Sequence, residues 1–288
     1  MSIIPQIILN SIIAGAIYAM IALGFTLIYR TAKFFDIGYG ALIAVGGYVT
    51  FLLGVQLDLP MWLAIVIGTV GSGIVGVLIN IVVYQPLRKR QASNMVMLVA
   101  SLGVFIMLQA LLAIIFTSQF QTLGVAGEQK VFEVAGAFIT STQVIILIIG
   151  IVVMTGLSLV IKYTMFGKKV KAIGDDIEVS KIVGINTTRV MNGVFFIGSA
   201  IAGLGGILVG FDTGIEPTMG MALLLKGVVA AIIGGIGSFP GAVLGAFLLG
   251  LVENIGVWQL SGEWKDAIAF VLLIIFLLVR PRGILGKK

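Results

Sequence analysis

Three carboxylates in this sequence, Asp36, Asp212 and Glu253, lie in or beside long apolar runs. An ionisable group at membrane depth is costly to bury, so each is first a candidate for ion or proton coupling. Each also has a structural reading. Asp36 follows Lys33 by three residues at a loop edge, which suits an interfacial ion pair or a helix N-cap. Asp212 ends an apolar run and reads as solvated. Glu253 stands beside Asn254 within "GAFLLGLVENIGVW", where a structural role, an outer cavity or snorkelling to the interface would each accommodate it. None has the paired or repeated pattern of a proton relay.

A second chemical feature is the charged stretch "GKKVKAIGDDIEVSKIVGINTTRV", Gly167 to Val190, set between apolar runs. Asp175 or Asp176 is suited to N-cap a helix there. Asp175 and Glu178 have capping-box spacing, and Gly184 is placed as the residue that ends the helix. Val179, Ile182 and Val183 fall at i, i+3 and i+4 and form one apolar stripe, with Ser180 and Lys181 facing away. A helix of about two turns is not stable alone in water, so this one must pack on something. It either folds back on its own membrane helices or offers its stripe to a soluble partner.

Other chemistries are excluded. The chain has no His and no Cys, which removes the commonest general base, thiolate metal sites and disulfides. "GTVGSGIVG", Gly68 to Gly76, is glycine-rich, but it lacks the lysine of a phosphate-binding loop and lies in an apolar run. No GxSxG, HExxH or CxxC pattern occurs, so a membrane protease or metalloenzyme is a distant reading. No metal, cofactor or nucleic-acid partner is expected for this chain.

The elements that must position these residues are membrane helices. Of 288 residues, 59% are hydrophobic and 10% charged, with a mean hydropathy of +1.19. A soluble domain carries roughly 25% charged residues, so this chain needs a bilayer to solvate its surface. About 20 helical residues cross a bilayer core. Apolar runs of suitable length lie at 6–29, 37–55, 61–84, 95–117, 143–163, 191–211, 223–237, 240–258 and 266–280. The count is eight or nine segments, with 223–237 the short one.

Basic residues cluster at Arg30 and Lys33, at Arg88 to Arg90, around Lys162 to Arg189, and at Arg280, Arg282, Lys287 and Lys288. The opposite loops carry Asp58, Glu128, Glu133, Asp212, Glu216, Glu263 and Asp266. All four basic clusters are cytoplasmic if the N-terminus is outside and the C-terminus inside, which favours counting 223–237 as a crossing. The N-terminus lacks a basic n-region and reads as a retained helix rather than a cleaved signal.

Small residues at four-residue spacing mark helix contact faces in lipid. Such ridges are Gly198–Ala202–Gly206–Gly210, Gly68–Ser72–Gly76 and Gly241–Gly245. Two further segments, "RTAKFFDIGYG" (Arg30 to Gly40) and "GGIGSFPG" (Gly234 to Gly241), interrupt apolar runs, one in each half. They read either as broken helices lining a translocation path or as tight turns between helices. On the first reading Phe35, Asp36, Gly38, Tyr39, Gly40, Gly234, Gly235, Gly237 and Glu253 line the path.

The chain resembles the permease subunits of branched-chain amino acid (LIV-type) ABC importers over nearly its whole length. The resemblance rests on "YAMIALGFTLIYR", "KAIGDDIEVSKIVGINTTRV", "AAIIGGIGSFPGAVLGAFLLGLVE" and "RPRGILG". Two departures occur. Where the family usually has Asn-Phe-Ala-His-Gly-Glu, this chain has Asp36 to Ala41 and keeps only the glycine. Where the family usually has Ala-Glu-Asp, it has Gly174-Asp175-Asp176.

The resemblance implies a polytopic α-helical permease of the type II importer kind, forming a single membrane domain over 1–288 with a coupling segment at 167–190. That segment is similar to a helix that docks in a groove of the ATPase subunit. The residues it assigns to coupling are Lys171, Asp175, Asp176, Glu178, Val179, Ile182, Val183, Gly184, Asn186 and Arg189. It further implies two ATPase subunits holding ATP and magnesium, a related permease partner, a periplasmic or lipid-anchored solute-binding protein, and the cell membrane as location. The solute would be a branched-chain or other hydrophobic amino acid, or urea or an amide as in related systems. The competing reading is an ion-coupled secondary transporter or channel using Asp36 or Glu253.

Overall fold

The computed structural model describes residues 3–124, 130–134 and 136–286. Glu128, Lys287 and Lys288, which contributed to the charge pattern, lie outside the described residues.

The chain is predominantly helical. Helix α1 spans Ile3–Ala32. Helix α2, Gly38–Phe51, continues as a π-helical turn, Leu52–Gln56. Helix α3, Met61–Ile79, passes through a second π-helical turn, Asn80–Tyr84, into the short α4, Gln85–Lys89. After α5, Asn94–Phe116, comes an antiparallel hairpin, β1 Val131–Val134 and β2 Ala137–Thr140, with Val131 opposite Thr140. Then follow α6 Ser141–Tyr163, α7 Met165–Asp175, α8 Ile177–Ile182, α9 Thr187–Asp212, α10 Met219–Gly234, α11 Phe239–Gln259 and α12 Lys265–Val279.

Among the described residues, seven helices are long and apolar enough to cross a membrane, and Met219–Gly234 is a shorter apolar helix. Each of the nine apolar runs read from the sequence falls on a helix, although 223–237 outlasts α10, which ends at Gly234. By length and apolarity seven of the described helices are full crossings, against the eight or nine counted from the sequence. The hairpin was not expected; its residues alternate in burial, Ala137 and Ile139 buried and Phe138 exposed.

The helices form two compact units. One comprises Met1–Thr26, Gly124–Met154 and Leu225–Lys288; the other comprises Leu27–Leu123 and Thr155–Leu224. In the second unit, α2, α3 and α9 approach to backbone contact. A Cβ on Gly46 would run into the backbone of Gly203, and one on Gly206 into the carbonyl oxygen of Ile43. The Ser72 hydroxyl lies 2.8 Å from the Leu42 carbonyl and 2.9 Å from that of Ser199. The Gly68–Ser72–Gly76 ridge is therefore a contact face, as the spacing implies. Lipid supplies no hydrophobic drive between helices, so this close approach and its van der Waals contact hold the trio.

In the first unit, Gly241 and Gly245 of α11 lie against Gly234 and Ala230 of α10, again with no room for a Cβ.

Candidate functional site

The charged segment folds as two short helices. The Thr164 hydroxyl caps α7, accepting from the Gly167 N–H at 3.1 Å. Helix α7 buries Gly167, Val170, Ile173 and Gly174, one face at i, i+3, i+6 and i+7. Asp175 is its last residue and pairs with Arg30 at 3.6 Å. That carboxylate is largely solvated, so the pair contributes little. Lys171 is half-buried on the same helix.

Asp176 is the N-cap of α8. Its Oδ1 accepts from the Glu178 N–H at 2.8 Å and the Val179 N–H at 3.0 Å. The Asp175–Glu178 capping box is not formed, because α7 extends through Asp175 and leaves only Asp176 with extended backbone. The end of α8 is as read. Gly184 has φ +82°, its N–H reaches the Lys181 carbonyl at 3.0 Å, and the Ile185 N–H reaches the Ser180 carbonyl at 3.0 Å. Those two bonds satisfy the terminal carbonyls in a Schellman motif. Asn186 then caps α9 through the Arg189 N–H at 3.0 Å.

So α8 is fixed at both ends, yet its apolar stripe is uncovered. Val179 is 54% exposed, Ile182 83% and Val183 67%, while Ser180 on the other face is 2% exposed. Of the two readings left open by the sequence, packing of this stripe onto the chain's own helices does not occur among the described residues. Glu178, Lys181 and Arg189 are exposed around it.

The α1–α2 connection belongs to the same unit. Asp36 is 2% exposed and accepts from the Tyr84 hydroxyl at 2.6 Å. Burial pushes its carboxyl up to about 6, opposed by that hydroxyl, by the N–H groups of Tyr39 and Gly38, and by the Arg88 charge. Asp36 is not itself the N-cap of α2: that position is Ile37, which makes no side-chain cap bond, and the carboxylate lies one residue further out. Among the described residues no ion pair joins Asp36 to Lys33; the aspartate turns inward to Tyr84 instead. The Ser101 hydroxyl of α5 accepts from the Ile37 N–H at 3.0 Å and reaches the Phe35 carbonyl at 3.3 Å, which fixes the connection. Gly38 and Gly40 lie in the first turn of α2, and Tyr39 is buried there. A Cβ on Gly220 would meet the Gly40 carbonyl, so this glycine pair allows backbone to meet backbone.

Asn80, Gln85, Arg88 and Asn192 form a polar cluster that the sequence reading missed. The Asn192 side-chain oxygen accepts from Asn80 at 2.7 Å and from Gln85 at 2.9 Å. Arg88 donates to the Asn80 oxygen and contacts the Met191 sulfur. The Tyr84 ring meets Phe34 edge-on at 5.0 Å and Phe195 at 5.6 Å.

In the other unit Glu253 is fully buried and does not snorkel. It accepts from the Tyr18 hydroxyl at 2.7 Å and lies 3.5 Å from the Lys226 ammonium, which also pairs with Asp266 at 3.2 Å. Lys226 was missed as a partner. A lysine inside an otherwise apolar helix was the signal, since such a residue seeks an intramembrane acid. Asp212 is half-buried at the end of α9.

The segment Gly234 to Gly241 is a tight turn between α10 and α11, with Gly235 at φ +105° and Gly237 at φ +86°. The chain's end closes on it: the Ile284 and Leu285 N–H groups donate to the Ile233 and Gly234 carbonyls at 2.8 and 2.9 Å. Of the residues read as path-lining, Phe35, Asp36, Gly38, Tyr39 and Gly40 thus fall in one unit, and Gly234, Gly235, Gly237 and Glu253 in the other.

Residues 7–277 match the family model described as branched-chain amino acid transport system / permease component. The chain belongs to this family. Among its relatives, the high-affinity branched-chain amino acid transport system permease protein LivH of Escherichia coli is 34% identical, over 98% of this chain and 95% of that protein. The corresponding permease BraD of Pseudomonas aeruginosa is 32% identical over the same shares. A solved structure, PsaBC from Streptococcus pneumoniae in complex with Fab, shares the fold at 12% identity. Its TM-score is 0.54, covering 98% of this chain and 93% of that one. The permease is thus a membrane transport component, and its relatives are transport subunits rather than enzymes. The ion-coupled alternative gains nothing from these likenesses.

Proposed function

We propose that this permease is the membrane subunit of an ATP-driven importer of branched-chain or other hydrophobic, neutral amino acids, resident in the cell membrane. It works by alternating access with ATPase subunits, a second permease chain and a solute-binding protein, all supplied in trans. The family's permeases and their named substrates support the substrate class. One observation carries the mechanism: the Val179–Ile182–Val183 stripe, uncovered on a helix capped at both ends. A short helix held rigid with an apolar face open to the outside is a docking element for a soluble groove.

On this reading Asp176 and Gly184 hold the helix in shape, and Ile182 is the central anchor. Glu178, Lys181 and Arg189 supply the polar rim, with Lys171, Asp175 and Asn186 in the supporting turns. The 167–190 segment is then the point where ATP-driven closure enters a single membrane domain. ATP and magnesium remain in the partner. The residues from Phe35 to Gly40 are assigned to the neighbourhood of the path.

The test is uptake of radiolabelled leucine by proteoliposomes holding the permease, its ATPase and its binding protein. Uptake should require ATP. Uptake that survives without the ATPase and collapses with a proton or sodium gradient rejects the proposal.

A further inference from the structure

We propose that the π-helical turn Asn80–Tyr84 passes movement of α9 to the Asp36 connection, with Asn192 and Tyr84 as its positioning residues. This rests on the reading that α8 receives the ATPase. Helix α9 begins at Thr187, five residues after α8 ends at Ile182, so displacement of α8 bears directly on it. Asn192 lies in the second turn of α9 and holds both edges of the π turn, through the amides of Asn80 and Gln85.

That double contact depends on the π geometry. In an α-helix, positions five apart differ by about 140° around the axis and could not both face one acceptor. The wider turn places Asn80 and Gln85 on the same side. Within the turn, Tyr84 reaches across to the buried Asp36 at 2.6 Å. Arg88 braces the arrangement from one turn further on, by its contacts with Asn80 and Met191. The opposite side of the turn, Ile81 and Val82, is exposed.

A π turn has a discrete alternative. Relaxing to α geometry shifts the helix by one residue, a rotation of about 100° for everything beyond it. In that state Asn192 keeps only one of its two donors and Tyr84 swings away from Asp36. Transmission of this kind requires an element with two arrangements that both sites bias, and the turn has both connections. One end is set by α9, and the other sets the segment between α1 and α2.

The experiment uses the complete transporter in proteoliposomes, reading leucine transported per ATP hydrolysed and the amount of ATPase co-purifying with the permease. Tyr84→Phe keeps the ring against Phe34 and Phe195 and removes only the bond to Asp36. Asn192→Ala removes both amide contacts, and Asn192→Asp keeps the accepting oxygen. Tyr84→Phe and Asn192→Ala should each lower leucine per ATP by roughly fivefold or more while the ATPase still co-purifies, and Asn192→Asp should recover most of it. Unchanged leucine per ATP in both variants overturns the proposal. Loss of the ATPase from both variants also overturns it, because the cluster would then be needed for assembly rather than transmission. Ile182→Asp in the same assay separates the two readings. If it leaves ATPase co-purification intact, the docking reading has failed. If it abolishes co-purification while Tyr84→Phe and Asn192→Ala transport normally, only the π-turn proposal has failed.

Discussion

Truncating the α8 stripe one side chain at a time should weaken ATPase binding in a fixed order. Ile182→Ala removes three carbons from a side chain that is 83% exposed in the isolated permease. At roughly 0.8 kcal/mol per buried CH2, full coverage by the ATPase makes that loss about 2 kcal/mol. Such a loss is about 30-fold in affinity. Val183→Ala removes two carbons at 67% exposure, and Val179→Ala two carbons at 54%. By the same coefficient they cost about 1.1 and 0.9 kcal/mol, or roughly sixfold and fourfold. The isolated permease should lose almost no thermal stability, because these side chains leave water only on docking. Alanine is also the better helix former, so fraying of α8 would not explain weaker binding. The assay is titration of labelled ATPase onto detergent-solubilised permease, with thermal midpoints of the permease alone as the control. A change of less than twofold at Ile182, or a larger effect at Val179 than at Ile182, would refute docking centred on this stripe.

Three further outcomes follow from the same geometry. Asp176→Ala removes the acceptor for the Glu178 and Val179 N–H groups, so α8 should lose about 1 kcal/mol and exchange its amide hydrogens faster over 177–183, read by mass spectrometry. Lys226→Met leaves Glu253 buried beside Tyr18 without its cation; breaking such a pair costs roughly 3–5 kcal/mol, and the thermal midpoint should fall, with Glu253→Leu added to the same chain recovering much of it. Asp36→Asn tests the buried carboxyl through pH. Its acid is raised from 3.8 to about 6 in the folded protein, so the charged form is penalised there. That penalty is absent below the unfolded value and complete above about 6, so Asp36→Asn should raise the thermal midpoint at pH 7.5 and lose its advantage as pH falls toward 4.

The membrane helices were legible because a bilayer imposes one requirement on every crossing, about 20 apolar residues, and that requirement is local in sequence. The glycine ridges were legible for a similar reason, since only small residues allow backbones to touch. Pairings were not legible, because their partners are distant in the chain. Tyr18 and Glu253 are separated by 235 positions, and Asn80 and Asn192 by 112. A buried acid announces that it needs partners without saying which. Snorkelling and pairing satisfy Glu253 equally well until Lys226 and Tyr18 are placed beside it. The charged segment shows the same division one level down. Its end was readable from Gly184 alone, since a left-handed residue after an apolar stripe has few other uses. Its start was not, because Asp175 and Asp176 are equally good caps and the choice depends on how far α7 runs.

The π turn at Asn80 is the extreme case. No residue type between Asn80 and Tyr84 demands an extra residue in that helix. The turn persists because Asn192 on one side and Asp36 on the other each hold a part of it. A feature maintained by two separate contacts, with no propensity of its own, changes when either contact moves. That dependence is what suits it to carry motion between them.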